Sequence, residues 1–332
     1  MAYVLAVFLL TVFALPPSAS ARITKIAIDK REPFAGGHEF PVTGAYEKLT
    51  GKAYGEVDPK NPLNKTIVNL DKAPRNAAGN VEYWVEISML KPLDMRRGNG
   101  TIFYDTLNRG NKAMRFNAGA ARSNDPTTIE HAGDGFMMRQ GYAMIWSGWQ
   151  GDILPGNERM TTGFPIAKNA DGSSIRKTIT TEFVFQKPAT SIPISFDRES
   201  RDIRAYPAAE ESMAQAKLYR RARPHAPRET IARSEWSFAR CPDKANPTPS
   251  NTDICYPAGF STDAIYELVY EARDPIVMGL GFAATRDIVS FLRRETSAAN
   301  PFSYEDGRGG RATPRWAIGF GSSQAGRFLK DL

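Results

Sequence analysis

The amino-acid sequence predicts an α/β fold in which a mostly parallel central sheet follows antiparallel strands near the N-terminus. Short apolar runs typical of buried strands occur at residues 101–105, 142–146 and 316–320. A helical stripe of apolar residues occupies 279–294, and helix-like sequence follows the last strand. This alternation of strands and helices is typical of a sheet with parallel central strands. The chain has 332 residues, a length that such sheets reach as one domain with insertions.

Other elements complete the predicted sheet. Further strands are predicted at residues 22–29, 51–57, 81–90 and 265–272. Residues 58–80 are rich in Pro, Asn and Asp and are predicted to form a loop. Residues 135–140 have the pattern of a helix end, with Gly141 as its stop.

A proline-dense segment at about residues 157–273 interrupts the regular pattern. It contains strand-like pieces at 174–185 and 229–238 and a predicted short helix at 208–221. We interpret it as an insertion or a β-rich lid on the main domain, which spans residues 22–332.

The charge pattern argues against nucleic acid as a partner. The formal net charge is +7, but 36 acidic residues are interspersed among the 43 basic ones, without a long block of one sign. The densest basic cluster, residues 219–228, is expected to be a solvated loop. The sequence has no zinc-ligand spacing, no P-loop and no dinucleotide-binding glycine motif, so we expect no cofactor.

The N-terminus indicates export. An apolar run from Tyr3 to Leu15 is followed by two prolines and by the small residues Ala19, Ser20 and Ala21. The run is too short to span a bilayer comfortably but suits a signal peptide cleaved after residue 21. No Lys or Arg precedes the run, which departs from the usual pattern. We therefore expect a periplasmic or secreted protein without a stable membrane anchor after cleavage.

The two cysteines, Cys241 and Cys255, bracket a proline-rich loop. In an oxidising compartment they are expected to form a disulfide. The alternative is two unlinked thiols in the same loop. Neither cysteine has a His or a second cysteine pair close in sequence, so a metal site is not expected.

The last stretch of the chain carries the strongest chemical signal. The apolar run 316–320 meets a cluster of very small residues and then helix-like sequence, which is the pattern of a nucleophile elbow. So tight a turn needs small residues two places before and two places after the nucleophile. Ser323 meets this condition through Gly321 and Ala325, and Ser322 does not. Ser323 is therefore the predicted nucleophile, and an ordinary Gly/Ser-rich connection is the alternative.

Long segments of the chain resemble a poorly characterised family of secreted bacterial α/β-hydrolase-domain proteins. The segments are residues 46–59, 73–76, 104–112, 139–142, 145–152 and 316–329. The resemblance implies an α/β-hydrolase fold and a serine-hydrolase site with Ser323 as nucleophile. It also implies that the backbone N–H of Gln324 contributes to the oxyanion hole. The second oxyanion N–H is expected in the loop at Asn108 or Arg109.

A serine nucleophile needs a base, normally a histidine oriented by a carboxylate. The family order is Ser, then acid, then His, whereas His38, His131 and His225 all precede Ser323. Asp331 is too close to the serine along the chain to act as the acid. We therefore expect a C-terminally truncated member with an incomplete α/β-hydrolase fold, whose triad acid and His lie beyond residue 332.

Several functions remain open at the level of the sequence. The first is hydrolysis of a small carboxylic ester by acyl transfer through Ser323. The alternatives are a non-catalytic exported binding protein on a hydrolase scaffold, and an inactive fragment. Three aspartates, Asp105, Asp134 and Asp152, also form a candidate acid–base set, although loop capping is their commoner role. Trp146 and Trp149 are candidates for lining a substrate pocket or for packing.

Overall fold

The computed structural model describes residues 22–112, 118–195, 202–242 and 246–332. The predicted signal peptide, residues 1–21, lies outside the described residues.

The described residues are organised mainly as strands. In chain order these are β1 (Arg22–Pro33), β2 (Glu39–Phe40), β3 (Gly44–Val57), β4 (Val81–Pro92), β5 (Thr101–Asp105), β6 (Ala143–Ser147), β7 (Thr162–Gly163), β8 (Arg176–Val184), β9 (Ala189–Pro193), β10 (Lys217–Arg221), β11 (Glu229–Ile231), β12 (Ala239–Arg240), β13 (Thr248–Pro249), β14 (Asp253–Phe260), β15 (Ile265–Arg273), β16 (Tyr304–Glu305), β17 (Arg311–Ala312) and β18 (Trp316–Phe320).

The α-helices are few and unequal in length. They are α1 (Phe136–Arg139), α2 (Leu280–Arg294) and α3 (Gln324–Asp331). Short 3-10 turns occur at Phe34–Gly37, Pro62–Asn64, Leu70–Lys72, Met95–Arg97, Ile129–Ala132, Glu210–Gln215 and Arg233–Glu235.

The main sheet has the strand order β1-β3-β4-β6-β5-β18, with β2 paired to β3 and β7 paired to β4. The pairs β1–β3, β3–β4 and β4–β6 are antiparallel. Among the described strands of this sheet, the parallel pairs are β5–β6 and β5–β18. The parallel part of the sheet is therefore limited to three short strands.

The prediction of an incomplete α/β-hydrolase fold with a mostly parallel central sheet is wrong. The protein is mostly β, with 38% strand and 18% helix, and its several sheets are mixed and mostly antiparallel. Parallel strands need long crossover connections, usually helices that cover the sheet. Within the described ranges only α2 and α3 are α-helices of eight or more residues. The long strands β1, β3 and β4 instead pair antiparallel along most of their lengths.

Most strands of the segment predicted as an insertion form sheets of their own. Strands β11, β10, β15 and β8 make a four-stranded antiparallel sheet, and β9 pairs with β14. A separate buried cluster belongs to this region, including Phe183, Leu218, Trp236 and Phe260. Residues 183–272 thus supply an apolar cluster of their own, whereas β7, also within the predicted insertion, pairs with β4 of the main sheet.

Two expectations for this region are corrected. The predicted helix at 208–221 is a 3-10 turn, Glu210–Gln215, followed by strand β10. Pairing of β10 with both β11 and β15 overrides the local helical pattern. The basic cluster also lies partly on β10, where Arg221 contacts Glu182 at 2.6 Å and Glu267 at 2.9 Å. These carboxylates neutralise part of the cluster.

Helix α2 covers one face of the main sheet, as its apolar stripe predicts. Its buried residues Leu280, Ala284, Ile288 and Leu292 belong to the same cluster as core residues of β3 and β4. Phe302, which is fully buried, extends this cluster beyond the helix.

A buried lysine ties a loop to the middle of the main sheet. Lys48 on β3 has only 2% of its side chain exposed, and its ammonium lies 2.6 Å from both Glu32 and Asp125. A buried charge is tolerated when it is paired in this way. Asp125 belongs to the segment 118–126, which is thereby held against β3.

The disulfide expected from the sequence is present. Cys241 and Cys255 are bonded, with a Cα–Cα distance of 5.6 Å, and both are buried. The bond links the end of β12 to β14, on which Cys255 lies.

We predict that replacing both cysteines by alanine lowers the free energy of unfolding by about 3 kcal/mol, because the bond limits the unfolded chain. Urea denaturation of the oxidised protein with and without a reductant measures this effect. The Cys241→Ala/Cys255→Ala variant is the control, since its transition must not respond to the reductant. An unchanged midpoint for the reduced wild-type protein would contradict the prediction.

Candidate functional site

The site is built where β18 ends beside β5. The two strands are parallel, and Phe320 lies opposite Asp105 in the register. The pairing continues past the strand end, because the N–H of Thr106 donates to the carbonyl of Phe320 at 2.8 Å. The carboxyl ends of both strands therefore deliver their following loops to the same edge of the sheet.

A sharp turn after β18 places Ser323 in an unusual backbone conformation. Ser323 has φ 59° and ψ −121° and immediately precedes α3. A positive φ is rare for a residue with a side chain, and such strain often marks functional positions. Ser323 is exposed, so its hydroxyl is accessible to a substrate.

Small residues allow this turn. A Cβ on Gly321 would lie 2.6 Å from the carbonyl oxygen of Ala325 and 2.9 Å from the nitrogen of Gly326. These are backbone atoms, so no side-chain movement relieves the contact. The requirement for a very small residue at 321, inferred from the sequence, thus has a direct geometric cause.

Aromatic stacking fixes helix α3 against the rest of the protein. Phe328 stacks on Trp149 with ring centroids 4.1 Å apart and on Phe282 of α2 at 4.5 Å. The indole N–H of Trp149 donates to the carbonyl of Leu107 at 2.7 Å. Trp149 therefore connects the loop after β5 with α3, a packing role.

A cavity of about 570 Å³ opens beside the serine. We call it the Ser323 cavity, and its lining residues are Thr106, Asn108, Arg109, Asn111, Lys112, Arg122, Ser123, Asn124, Ser322 and Ser323. It brings together the two loops that follow β5 and β18 and the segment 118–126.

The predicted oxyanion loop lies in this cavity, but its N–H groups are engaged. The N–H of Asn108 donates to the carbonyl of Asn111 at 3.0 Å. The N–H of Arg109 donates to Oε1 of Gln150 at 2.9 Å. In this structure, neither predicted amide is therefore free to stabilise an oxyanion without breaking a bond.

Thr106 is a better candidate for an oxyanion hydrogen-bond donor, and the sequence pattern did not predict it. Its side chain is 1% exposed, lines the Ser323 cavity and has no hydrogen-bond partner for Oγ1 among the described residues. A buried hydroxyl without a partner is costly unless a ligand or water satisfies it. The feature of the sequence that could have indicated Thr106 is its position directly after β5, at the carboxyl end of a strand in the parallel part of the sheet.

Gln324 is the first residue of α3, as the sequence pattern requires. The first N–H groups of a helix have no acceptor within the helix, and they carry partial positive charge. The side-chain Oε1 of Gln324 is buried and has no partner among the described residues. This placement is compatible with the expected contribution of the Gln324 backbone N–H to the oxyanion hole.

Lys112 is the second residue that sequence reasoning missed. Its ammonium donates to the carbonyl of Asn124 and lies 5.5 Å from the ring centroid of Trp146. Burial lowers the pKa of Lys112 to about 8, and the nearby carboxylate of Asp125 opposes this shift. At pH 7 the group is therefore still mostly protonated.

The histidines do not meet the serine. Nδ1 of His131 accepts from the N–H groups of Thr127 and Thr128, both at 3.0 Å, and closes a turn. His38 packs edge-on against Phe40, and His225 is exposed between β10 and β11. None of the three borders the Ser323 cavity.

The other acidic and aromatic candidates make packing or capping contacts. Asp105 is fully buried and its Oδ2 accepts from the indole N–H of Trp146 at 2.7 Å. Oδ1 of Asp134 accepts from the N–H of Phe136. Neither Trp146 nor Trp149 borders the Ser323 cavity.

The described ranges contain neither a cluster of metal ligands nor a membrane-spanning helix. No group of three or more His, Cys, Asp or Glu side chains is placed there to hold a metal ion. In the same ranges no helix is long and apolar enough to cross a membrane.

Comparisons with protein-family models, with curated proteins and with solved structures found no match. The resemblance to secreted α/β-hydrolase-domain proteins therefore stays a prediction that rests on the segments of this sequence.

We predict that Ser323→Gly is more stable than Ser323→Ala by about 1–2 kcal/mol, because only glycine adopts this backbone conformation without strain. Both variants lack the hydroxyl, so the comparison isolates the backbone term. Chemical denaturation of the two proteins measures the difference. Equal stability, or a more stable alanine variant, would show that the turn is unstrained.

We also predict a specific pH dependence from Lys112. Its folded pKa lies below its unfolded value, so the unfolded chain binds more protons between pH 8 and 10. The contribution of Lys112 to stability therefore rises with pH, by at most about 1.4 kcal/mol per pH unit. Unfolding of wild type and Lys112→Met from pH 7.5 to 9.5 tests this. Parallel stability profiles for the two proteins would refute it.

Proposed function

We propose that this protein is a serine hydrolase that cleaves small carboxylic esters by acyl transfer through Ser323. The observation that carries the proposal is the exposed, positive-φ serine between a parallel strand and a helix, at the edge of a polar cavity. A sharp strand-to-helix turn of this kind presents a nucleophile to a substrate while the following helix contributes N–H groups. The proposal rests on this local geometry, because the global fold differs from the expected one.

The turn also offers groups for stabilising a tetrahedral intermediate. The first N–H groups of α3, including that of Gln324, supply donors and a favourable dipole. The hydroxyl of Thr106 lines the same cavity and has no other partner among the described residues. We assign the second oxyanion contact to Thr106 in place of the engaged amides of Asn108 and Arg109.

Activation of the serine hydroxyl requires a general base. No imidazole and no carboxylate lines the Ser323 cavity. The His and acid of the triad therefore remain a prediction from the sequence.

A second candidate function is non-catalytic binding. A cavity of about 1090 Å³ lies beside β18 and is lined in part by Ile67, Met278, Phe282, Ile318 and Leu329. Its apolar side chains favour an apolar ligand. Ser323 does not line this cavity. Binding of an apolar ligand there, without reaction at the serine, would favour this function.

We further propose that the protein works in the periplasm or outside the cell. The disulfide between Cys241 and Cys255 supports this location, because such bonds persist in oxidising compartments. The predicted signal peptide supports it from the sequence.

We expect a fluorophosphonate probe to label the full-length wild-type protein covalently and to leave its Ser323→Ala variant unlabelled, since the probe reacts with an activated serine. Ser322→Ala is the matched control, because it removes the neighbouring hydroxyl from the same cavity, and it should keep its label. Intact-protein mass spectrometry measures the added mass. Absence of labelling in the wild-type protein, or equal labelling of Ser323→Ala, would refute the proposed function.

A further inference from the structure

The lining of the Ser323 cavity is polar and carries positive charge without a carboxylate. Three of its residues are cationic, Arg109, Lys112 and Arg122, and none is Asp or Glu. The remaining lining residues are serines, asparagines and a threonine, so no hydrophobic side chain lines the cavity. An uncharged, apolar acyl chain would find few favourable contacts here.

The carboxylates that act on Lys112 do not line the cavity. Asp125 lies 2.6 Å from the ammonium of Lys48 and does not line the cavity. Glu158 borders a different cavity, which shares Lys112 and Asn124 with the Ser323 cavity. Among the described contacts Arg122 has no carboxylate partner, and it is exposed. The charge of the cavity is therefore not cancelled by its own lining.

Helix α3 adds to the positive electrostatic potential of the Ser323 cavity. Its N-terminus begins at Gln324, beside two lining serines, and the helix dipole makes this end positive. One buried hydroxyl oxygen of the lining, Oγ1 of Thr106, has no partner among the described residues. The Thr106 hydroxyl donates a hydrogen bond if an acceptor enters. Backbone, side-chain and cationic donors thus converge on one polar cavity.

We propose that the Ser323 cavity binds an oxyanion group of the substrate, a carboxylate or a phosphate carried close to the scissile ester. This inference rests on the proposed function, since it names the substrate class of the same site. Arg122 and protonated Lys112 attract the anion, and Thr106 and the first turn of α3 provide hydrogen bonds. Anionic esters are therefore preferred over neutral esters of the same size.

Binding to the Ser323→Ala protein tests the inference without catalysis. The ligands are monomethyl glutarate, which carries a carboxylate, dimethyl glutarate, its neutral counterpart, and methyl phosphate. We expect monomethyl glutarate or methyl phosphate to bind about tenfold or more tightly than dimethyl glutarate by calorimetry, since charge-assisted contacts are the stronger ones. The comparison of the two anions identifies the preferred group. Equal affinity for all three ligands, or tighter binding of the diester, overturns the proposal.

A pair of arginine variants locates the binding. Arg122→Gln in the Ser323→Ala background should reduce the anion affinity several-fold and leave that of the diester unchanged. Arg308→Gln is the matched control, because it removes the same charge from an exposed loop that does not line the cavity. If both variants lose anion affinity to the same extent, the effect is one of general charge, and the proposed binding in the Ser323 cavity is wrong.

The two proposals fail in different ways. If the fluorophosphonate probe labels Ser323 but anions bind no better than the diester, the serine hydrolase stands and the anionic substrate class is wrong. If anions bind and the probe does not react, the cavity is an anion site and the hydrolase function is wrong. With a labelled Ser323, the kcat/KM of mono-p-nitrophenyl glutarate should exceed that of p-nitrophenyl butyrate, and this preference should weaken at high salt.

Discussion

The parallel pairing of β18 with β5 is the constraint on which the candidate site depends. It aligns Phe320 with Asp105, and the hydrogen bond from Thr106 to Phe320 extends the alignment into the loops. Because the two strands run in the same direction, their following loops emerge at one edge. Ser323 and Thr106 therefore line one cavity, although more than two hundred residues separate them in the sequence.

Packing behind the turn keeps this arrangement in place. Phe328 of α3 stacks on both Trp149 and Phe282, so the helix is fixed from two sides. The close approach of Gly321 to Ala325 leaves no space for a side chain at the start of the turn. The strain at Ser323 persists because these contacts determine the position of α3 independently of the serine.

The segment 118–126, which forms one side of the Ser323 cavity, depends on a buried ion pair in the main sheet. Lys48 holds Asp125, and the adjacent Asn124 donates to Oδ1 of Asn111 at 2.7 Å and to the carbonyl of Asn157 at 2.8 Å. These contacts position the segment that carries Arg122. Asp125 is paired with Lys48 and does not line the cavity, although its carboxylate also raises the pKa of Lys112.

The sequence alone determined the local features: the last strand, the tight turn at Ser323, helix α2 and the disulfide pairing, because these depend on neighbouring residues or on a single pair of cysteines. It did not determine the sheet. Antiparallel pairing of β1, β3 and β4, and of β10 with its neighbours, involves partners that hydrophobic periodicity does not specify. For the same reason the roles of Thr106 and Lys112 were visible only in the tertiary structure. Their surroundings, an unsatisfied buried hydroxyl and a partly desolvated ammonium beside Ser323, arise from contacts between distant segments that only folding brings together.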